Sequence, residues 1–189
     1  MKNLKPVFLI LGIPVLLLGL IGCGGGGNGS RESYAFVSNG VDPFWTIAES
    51  GVKAAAADLG VHADVLMPAA GAVEQKSMLE DLMTRGTTGI AVSPIDAANQ
   101  TDFLNQVAKQ TILITQDSDA PDSDRRIYIG MDNYDAGRAC GQLVKEALPN
   151  GGSVMILVGR MEQDNARRRR QGVIDELLDR THDPKRFDP

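Results

Sequence analysis

From residue 34 onward the chain alternates short aliphatic or β-branched runs with longer stretches in which apolar positions recur at helical spacing. That alternation is the pattern of βαβ units built on a parallel sheet. It predicts strands at 34–38, 63–67, 89–93, 112–115, 127–129 and 154–158, with helices filling most gaps. The first helix, 43–59, has Asp42 as its N-cap and Pro43 at the first helical position, where a missing N–H costs nothing. Trp45, Ala48, Val52, Ala55 and Leu59 then share the face that covers the sheet. A second helix, 72–85, stops at Gly86. A further one, 134–148, lines up Ala136, Ala139, Cys140, Leu143 and Ala147, so Cys140 is expected to be a buried small hydrophobe. The last runs over 164–178. The fold class expected is α/β, a doubly wound parallel sheet with helices on both faces.

The first thirty residues follow a different pattern. Lys2 and Lys5 precede an apolar run from Val7 to Ile21, about fifteen residues, which suits the core of an export signal and is short for a membrane span. Leu20-Ile21-Gly22-Cys23 resembles the bacterial lipobox. The resemblance implies a signal peptide over 1–22 and lipidation of Cys23. It also implies an exported protein of the periplasm or cell envelope, held to a membrane by its acyl chains. Residues 23–33, rich in glycine and short polar side chains, are expected to act as a flexible tether. They are not a phosphate cradle, which needs a strand before it and a helix N-terminus after it.

Charge narrows the partners. The net charge is −5, and removal of the leader takes Lys2 and Lys5 but no acid, so nucleic-acid phosphates are not an expected partner. Cys23 and Cys140 make no disulfide framework, and His62 and His182 make no zinc cluster. No cofactor or metal is expected. An enzyme is not expected either. G-x-S-x-G, P-loop and H-E-x-x-H motifs are absent, and Asp117-Ser118-Asp119 matches a D-x-D phosphatase motif poorly because Pro121 stands where threonine or valine belongs. The run Arg167 to Arg170 lies within one helical turn, so its side chains point in different directions, most of them into solvent.

In an open doubly wound sheet, ligands bind beyond the carboxyl ends of the strands, where strand order reverses. The loops there hold Ser38, Asn39, Asp42, Phe44 and Trp45 after the first strand and Ser93, Pro94 and Asp96 after the third. Gln116, Asp117 and Asp119 follow the fourth. Carboxylates oppose a phosphate but accept well from hydroxyls and amines. An aromatic face beside a carboxylate suits a sugar, whose C–H patches stack while its hydroxyls donate. Hydrogen bonds to charged groups contribute roughly 1.5–3 kcal/mol each, so three or four account for micromolar binding, about −8 kcal/mol. Against this stand plainer roles: Asp42 as a cap, Trp45 as packing, and Asp117 with Asp119 as a turn.

These residues carry a family resemblance. Phe36 to Trp45 (F-V-S-N-G-V-D-P-F-W) and Thr111 to Asp119 are similar to the corresponding segments of bacterial sugar-binding proteins of the ribose/galactose type, the substrate-binding components of ABC importers. Ile129-Gly130-Met131-Asp132-Asn133 resembles the crossing between their two lobes, and Asn165 to Gly172 a helix start that brings a sugar-binding arginine. The resemblance implies ligand contacts from Asp42, Phe44, Trp45 and Asp117, with Ser38 beside them. Counted from Gly172, the arginine is Arg167, in a run where Arg168, Arg169 and Arg170 lie one position apart. Ser118 stands where ribose binders carry arginine. The family implies a lobe over 34–131 and part of a second lobe over 132–189, the chain being the N-terminal part of a longer protein or a truncated product. It also implies a monosaccharide ligand, a membrane permease as partner and a monomeric state. The alternatives are the effector domain of a lactose-repressor-like regulator and a sugar sensor.

Overall fold

The computed structural model describes residues 32–188. The leader over 1–22, Cys23 and most of the tether therefore lie outside the described residues. Five strands form one parallel sheet in the order β2-β1-β3-β4-β5: β1 (Ser33–Val37), β2 (His62–Leu66), β3 (Gly89–Val92), β4 (Ile112–Gln116) and β5 (Tyr128–Ile129). Between and after them come α1 (Pro43–Leu59), α2 (Ala72–Thr84), α3 (Ala97–Gln110), α4 (Asn133–Ala147) and α5 (Asp164–Leu177). No helix among the described residues is long and apolar enough to cross a membrane.

Strand period sorts the side chains. Ala35, Val37, Ile90, Val92 and Leu113 point to the face covered by α2 and α3, where Leu79, Leu82, Leu104 and Val107 complete a fully buried core. Phe36, on the other face, meets Trp45 of α1, ring centroids 5.8 Å apart. Helices thus cover both faces, as the doubly wound pattern requires. α1 starts as its sequence dictates: Asp42 is extended and accepts from Phe44 N, with Pro43 opening the helix. It ends at Gly60, whose φ of 65° is the left-handed geometry that favours glycine. Trp45, Ala48 and Val52 turn inward as expected, but Ala56 rather than Ala55 continues the covered face, and Leu59 stays exposed. α3 is capped by Asp96, which accepts from Asn99 N at 3.2 Å; that carboxylate is a helix cap and not a free loop acid.

Two expectations fail in the segment after β5. Residues 154–158 form no strand: Met155 and Leu157 are 82% and 84% exposed, and nothing in the sheet pairs with them. A strand exists only through a partner's hydrogen bonds, and no strand among the described residues supplies them to this segment. The stripe assigned to α4 is also turned outward. Cys140 is exposed and Leu143 is 64% exposed, whereas Asn133, Tyr134, Gly137 and Gly141 face α5. Close approach decides this. A Cβ on Gly137 would sit 2.2 Å from the Arg169 carbonyl oxygen, and one on Gly172 2.1 Å from that of Tyr134. Only glycines let the two helices cross so near, and that crossing, not the apolar stripe, sets the rotation of α4.

Candidate functional site

Strand order reverses between β1 and β3, whose carboxyl ends lie side by side because Val37 is level with Val92 and Val92 with Thr115. Gln75, buried on α2, ties this rim together: its side-chain amide donates to the carbonyls of Ser38 and Ser93, both at 2.8 Å. Over the rim, Asn39 Nδ2 donates to Ser93 Oγ (3.0 Å) and to Asp117 Oδ2 (3.2 Å), and Ser93 Oγ donates to the same carboxylate oxygen at 3.2 Å. Among the described residues both of these donors reach Oδ2, and none reaches Oδ1.

The backbone aims this carboxylate. Asp117 has φ of 59°, a left-handed conformation that aspartate tolerates better than most residues. Its N–H donates to Ile129 O (3.1 Å), and its carbonyl accepts from the Tyr128 hydroxyl (2.8 Å). Burial pushes the Asp117 carboxyl above the usual aspartate range, while Ser93, the charge of Arg169 and Asn39 pull it back in part. Asp119 behaves in the opposite sense. Burial raises it, but Arg125, bonded through Nε and Nη2, and Thr115, at 2.6 Å, outweigh burial and hold it below the usual range. Both its oxygens are engaged, so Asp117 and Asp119 do not form a paired-acid centre.

Asp117 borders a hollow of about 390 Å³ that also takes in Phe36, Phe44, Trp45, Met131 and Arg169. The aromatics differ in what they present. Trp45 is only 4% exposed and mostly packs, with Phe44 against its edge at 4.9 Å, whereas Phe44 is 57% exposed. Of the residues expected at a ligand, Phe44, Trp45 and Asp117 are brought together here. Ser38 borders the cluster, but its buried hydroxyl donates to Gly40 O at 2.7 Å. Asp42 caps α1 and lines a separate depression with Pro43 and Ile47.

The four arginines have four placements. Arg167 lies over the Phe187 ring, 4.3 Å from its centroid, in a different hollow beside Asp164 and Lys185. Arg168 bonds Asp164 (2.7 Å) and the Pro184 carbonyl, and Arg170 bonds Asp188 O. Arg169 is the one that shares the hollow with Asp117, its Nε donating to Asn133 Oδ1 at 2.8 Å. Arg169 falls on the stripe of Asn165, Gly172 and Val173, a side of α5 that becomes the inward one only through its packing on α4. Asn39 and Ser93 stand in the strand-end loops that the sequence already marks, whereas the roles of Tyr128 and Asn133 depend on contacts between distant segments and leave no local signal. No group of three or more His, Cys, Asp or Glu that could hold a metal ion occurs among the described residues.

Asp117, Arg169 and the rings of Phe44 and Trp45 thus line one hollow beyond the strand ends, and known proteins share the fold that carries it. The chain is 27% identical over 147 residues to the ribose import binding protein RbsB of Salmonella typhimurium, covering 76% of this chain and 49% of the relative. It is 25% identical over 145 residues to the D-allose-binding periplasmic protein of Escherichia coli, covering 71% and 47%. Among solved structures, an ABC transporter solute-binding protein from Burkholderia graminis, in complex with D-arabinose, superposes with a TM-score of 0.74 at 29% identity, covering 78% of this chain and 52% of that one. The chain spans about half the length of the relatives it matches. These relatives are named as binding proteins and not as enzymes. The family model described as periplasmic binding protein domain matches residues 34–187, and the chain belongs to that family.

Proposed function

We propose that this chain is the sugar-capturing part of a lipid-anchored solute-binding protein that delivers a monosaccharide to an ABC importer. The observation that carries the reading is the hollow in which Asp117 and Arg169 face the rings of Phe44 and Trp45. Hydroxyls donate to Asp117 Oδ1, Arg169 donates to sugar oxygens, and the rings cover the C–H face. Ser38 and Asp42 act from behind, shaping the loop and starting α1, and Arg167 lies outside this pocket. The names of the matched relatives, which include ribose, allose and arabinose, support a pentose or hexose. A membrane permease is the partner that takes the sugar onward.

Trp45 is the sole tryptophan of the chain, so its fluorescence reports the hollow alone. Titration with D-ribose, D-allose, D-arabinose, D-glucose and D-galactose is expected to give a saturable change with at least one. Silence with every sugar, confirmed by calorimetry, would end the reading.

The anchor rests on Lys2, Lys5, the apolar run to Ile21 and the Gly22-Cys23 junction. Cys23→Ser is expected to move the protein from the membrane fraction to the soluble exported fraction and to abolish incorporation of labelled palmitate. Unchanged labelling would refute lipidation at Cys23.

A further inference from the structure

Asp117 and Arg169 come from opposite sides of the crossing that leaves the sheet at β5 and enters α4, and a chain of hydrogen bonds joins them. Tyr128 Oη donates to Asp117 O at 2.8 Å. Asn133 Nδ2 donates to Tyr128 Oη at 3.1 Å and to Met131 O at 3.3 Å. Asn133 Oδ1 accepts from Arg169 Nε at 2.8 Å. The orientation of the amide follows from chemistry: guanidinium can only donate, so the oxygen must face Arg169 and the nitrogen Tyr128. Asn133 is buried and does not line the hollow, so it has no route to a ligand except through its neighbours. Its short carboxamide accepts at one end and donates at the other.

We infer that Asn133 is a positioning residue, which with Tyr128 fixes the Arg169 guanidinium relative to the Asp117 carboxylate and so sets the affinity of the hollow. The inference rests on the proposed role of that hollow in sugar binding. Arg169 needs such a hold. Its backbone is pinned where its carbonyl approaches Gly137 of α4, but a long side chain on an exposed residue keeps its rotamer freedom unless a fixed acceptor takes Nε. With Nε held, the terminal nitrogens are aimed together, Nη2 lying 3.2 Å from the weak acceptor Met131 Sδ. Tyr128 sets the other end, because the Asp117 peptide it holds is the one whose left-handed geometry directs the carboxylate.

The test is a double-mutant cycle on the full chain, read with the tightest-binding sugar of the panel above. Asn133→Ala is expected to weaken binding about tenfold in the wild-type background and to add nothing to Arg169→Ala, because coupled residues are not additive. Tyr128→Phe, which keeps the ring, is expected to weaken binding severalfold and covers the case in which Asn133→Ala does not fold. A second readout needs no ligand. The Arg169 Nε–H resonance is expected to be protected from solvent exchange in the wild type, lost in Asn133→Ala, and retained in Asn133→Asp, which keeps an acceptor for Nε. Independent, additive losses in the cycle, or an Arg169 resonance untouched by Asn133→Ala, would overturn the inference. If the wild-type chain binds no sugar of the panel, the functional reading falls by itself, and the resonance still decides whether Asn133 holds Arg169.

Discussion

Asp117→Asn is expected to weaken monosaccharide binding by roughly 10- to 100-fold, the equivalent of about 1.5–3 kcal/mol for hydrogen bonds accepted by a charged group. The substitution preserves shape, so the loss is one of charge and of acceptor capacity. It also leaves Asn39 and Ser93 donating toward a group that no longer carries full negative charge. A pH profile separates this from general damage. Because burial raises the Asp117 carboxyl, acidification protonates it earlier than an exposed aspartate, and wild-type affinity is expected to fall as pH drops through that raised value. The Asp117→Asn variant has nothing to titrate there, so its weaker binding should stay flat over the same window. Equal affinities, or the same acid-side decline in both proteins, would remove Asp117 from the site.

The larger effect on stability is expected at Asp175. Its side chain is fully buried between α4 and α5, where it accepts from Tyr134 Oη (2.7 Å), Gln171 Nε2 (2.8 Å), Arg180 (3.3 Å) and Arg186 (2.7 Å). Burial alone raises the carboxyl, but Tyr134, Gln171, Arg180 and Arg186 together bring it below the usual aspartate range. Removing the carboxylate takes the acceptor from Tyr134 and Gln171, whereas Arg180 and Arg186 are partly exposed and keep Asp188 and Asp183 as partners, so the loss is that of the buried hydrogen bonds, about 1–3 kcal/mol. Asp175→Asn is therefore expected to lower the urea midpoint of the full chain at neutral pH. A carboxyl whose folded pKa is depressed stabilises the fold above its unfolded value and loses that contribution as pH falls through the folded one. The gap between wild type and variant should accordingly narrow on acidification. A gap that is small at pH 7, or that widens in acid, would show that Asp175 is not the keystone of this helix pair.

How much of this is legible in residue order varies by element. The sheet and the start of α1 are, because both follow from local rules: period-two burial in strands, and Asp42-Pro43 ahead of an amphipathic run. The strand expected at 154–158 does not form, since its local pattern is right but a strand needs an edge to pair with. The outward turn of Cys140 and Leu143 escapes a sequence reading for a related reason. Apolar spacing indicates which residues could be covered, whereas Gly137 and Gly172 decide how closely, and so on which face, α4 and α5 meet. Asp119 looks equivalent to Asp117 in sequence, and only its clamp by Arg125, six residues on, separates them.

The order of residues alone is enough for the α/β class, for the strand ends at which a ligand is expected, and for Phe44, Trp45 and Asp117 as candidates, because each depends on neighbours a few positions away. Which arginine joins them could not be read that way: Arg167, Arg168, Arg169 and Arg170 are alike in composition and differ only in the direction each takes around α5. That direction is set by the packing of α5 on α4, which places Arg169 against Asn133 and Arg167 over Phe187. Contacts between segments far apart in the chain make that choice, and they exist only once the helices have docked.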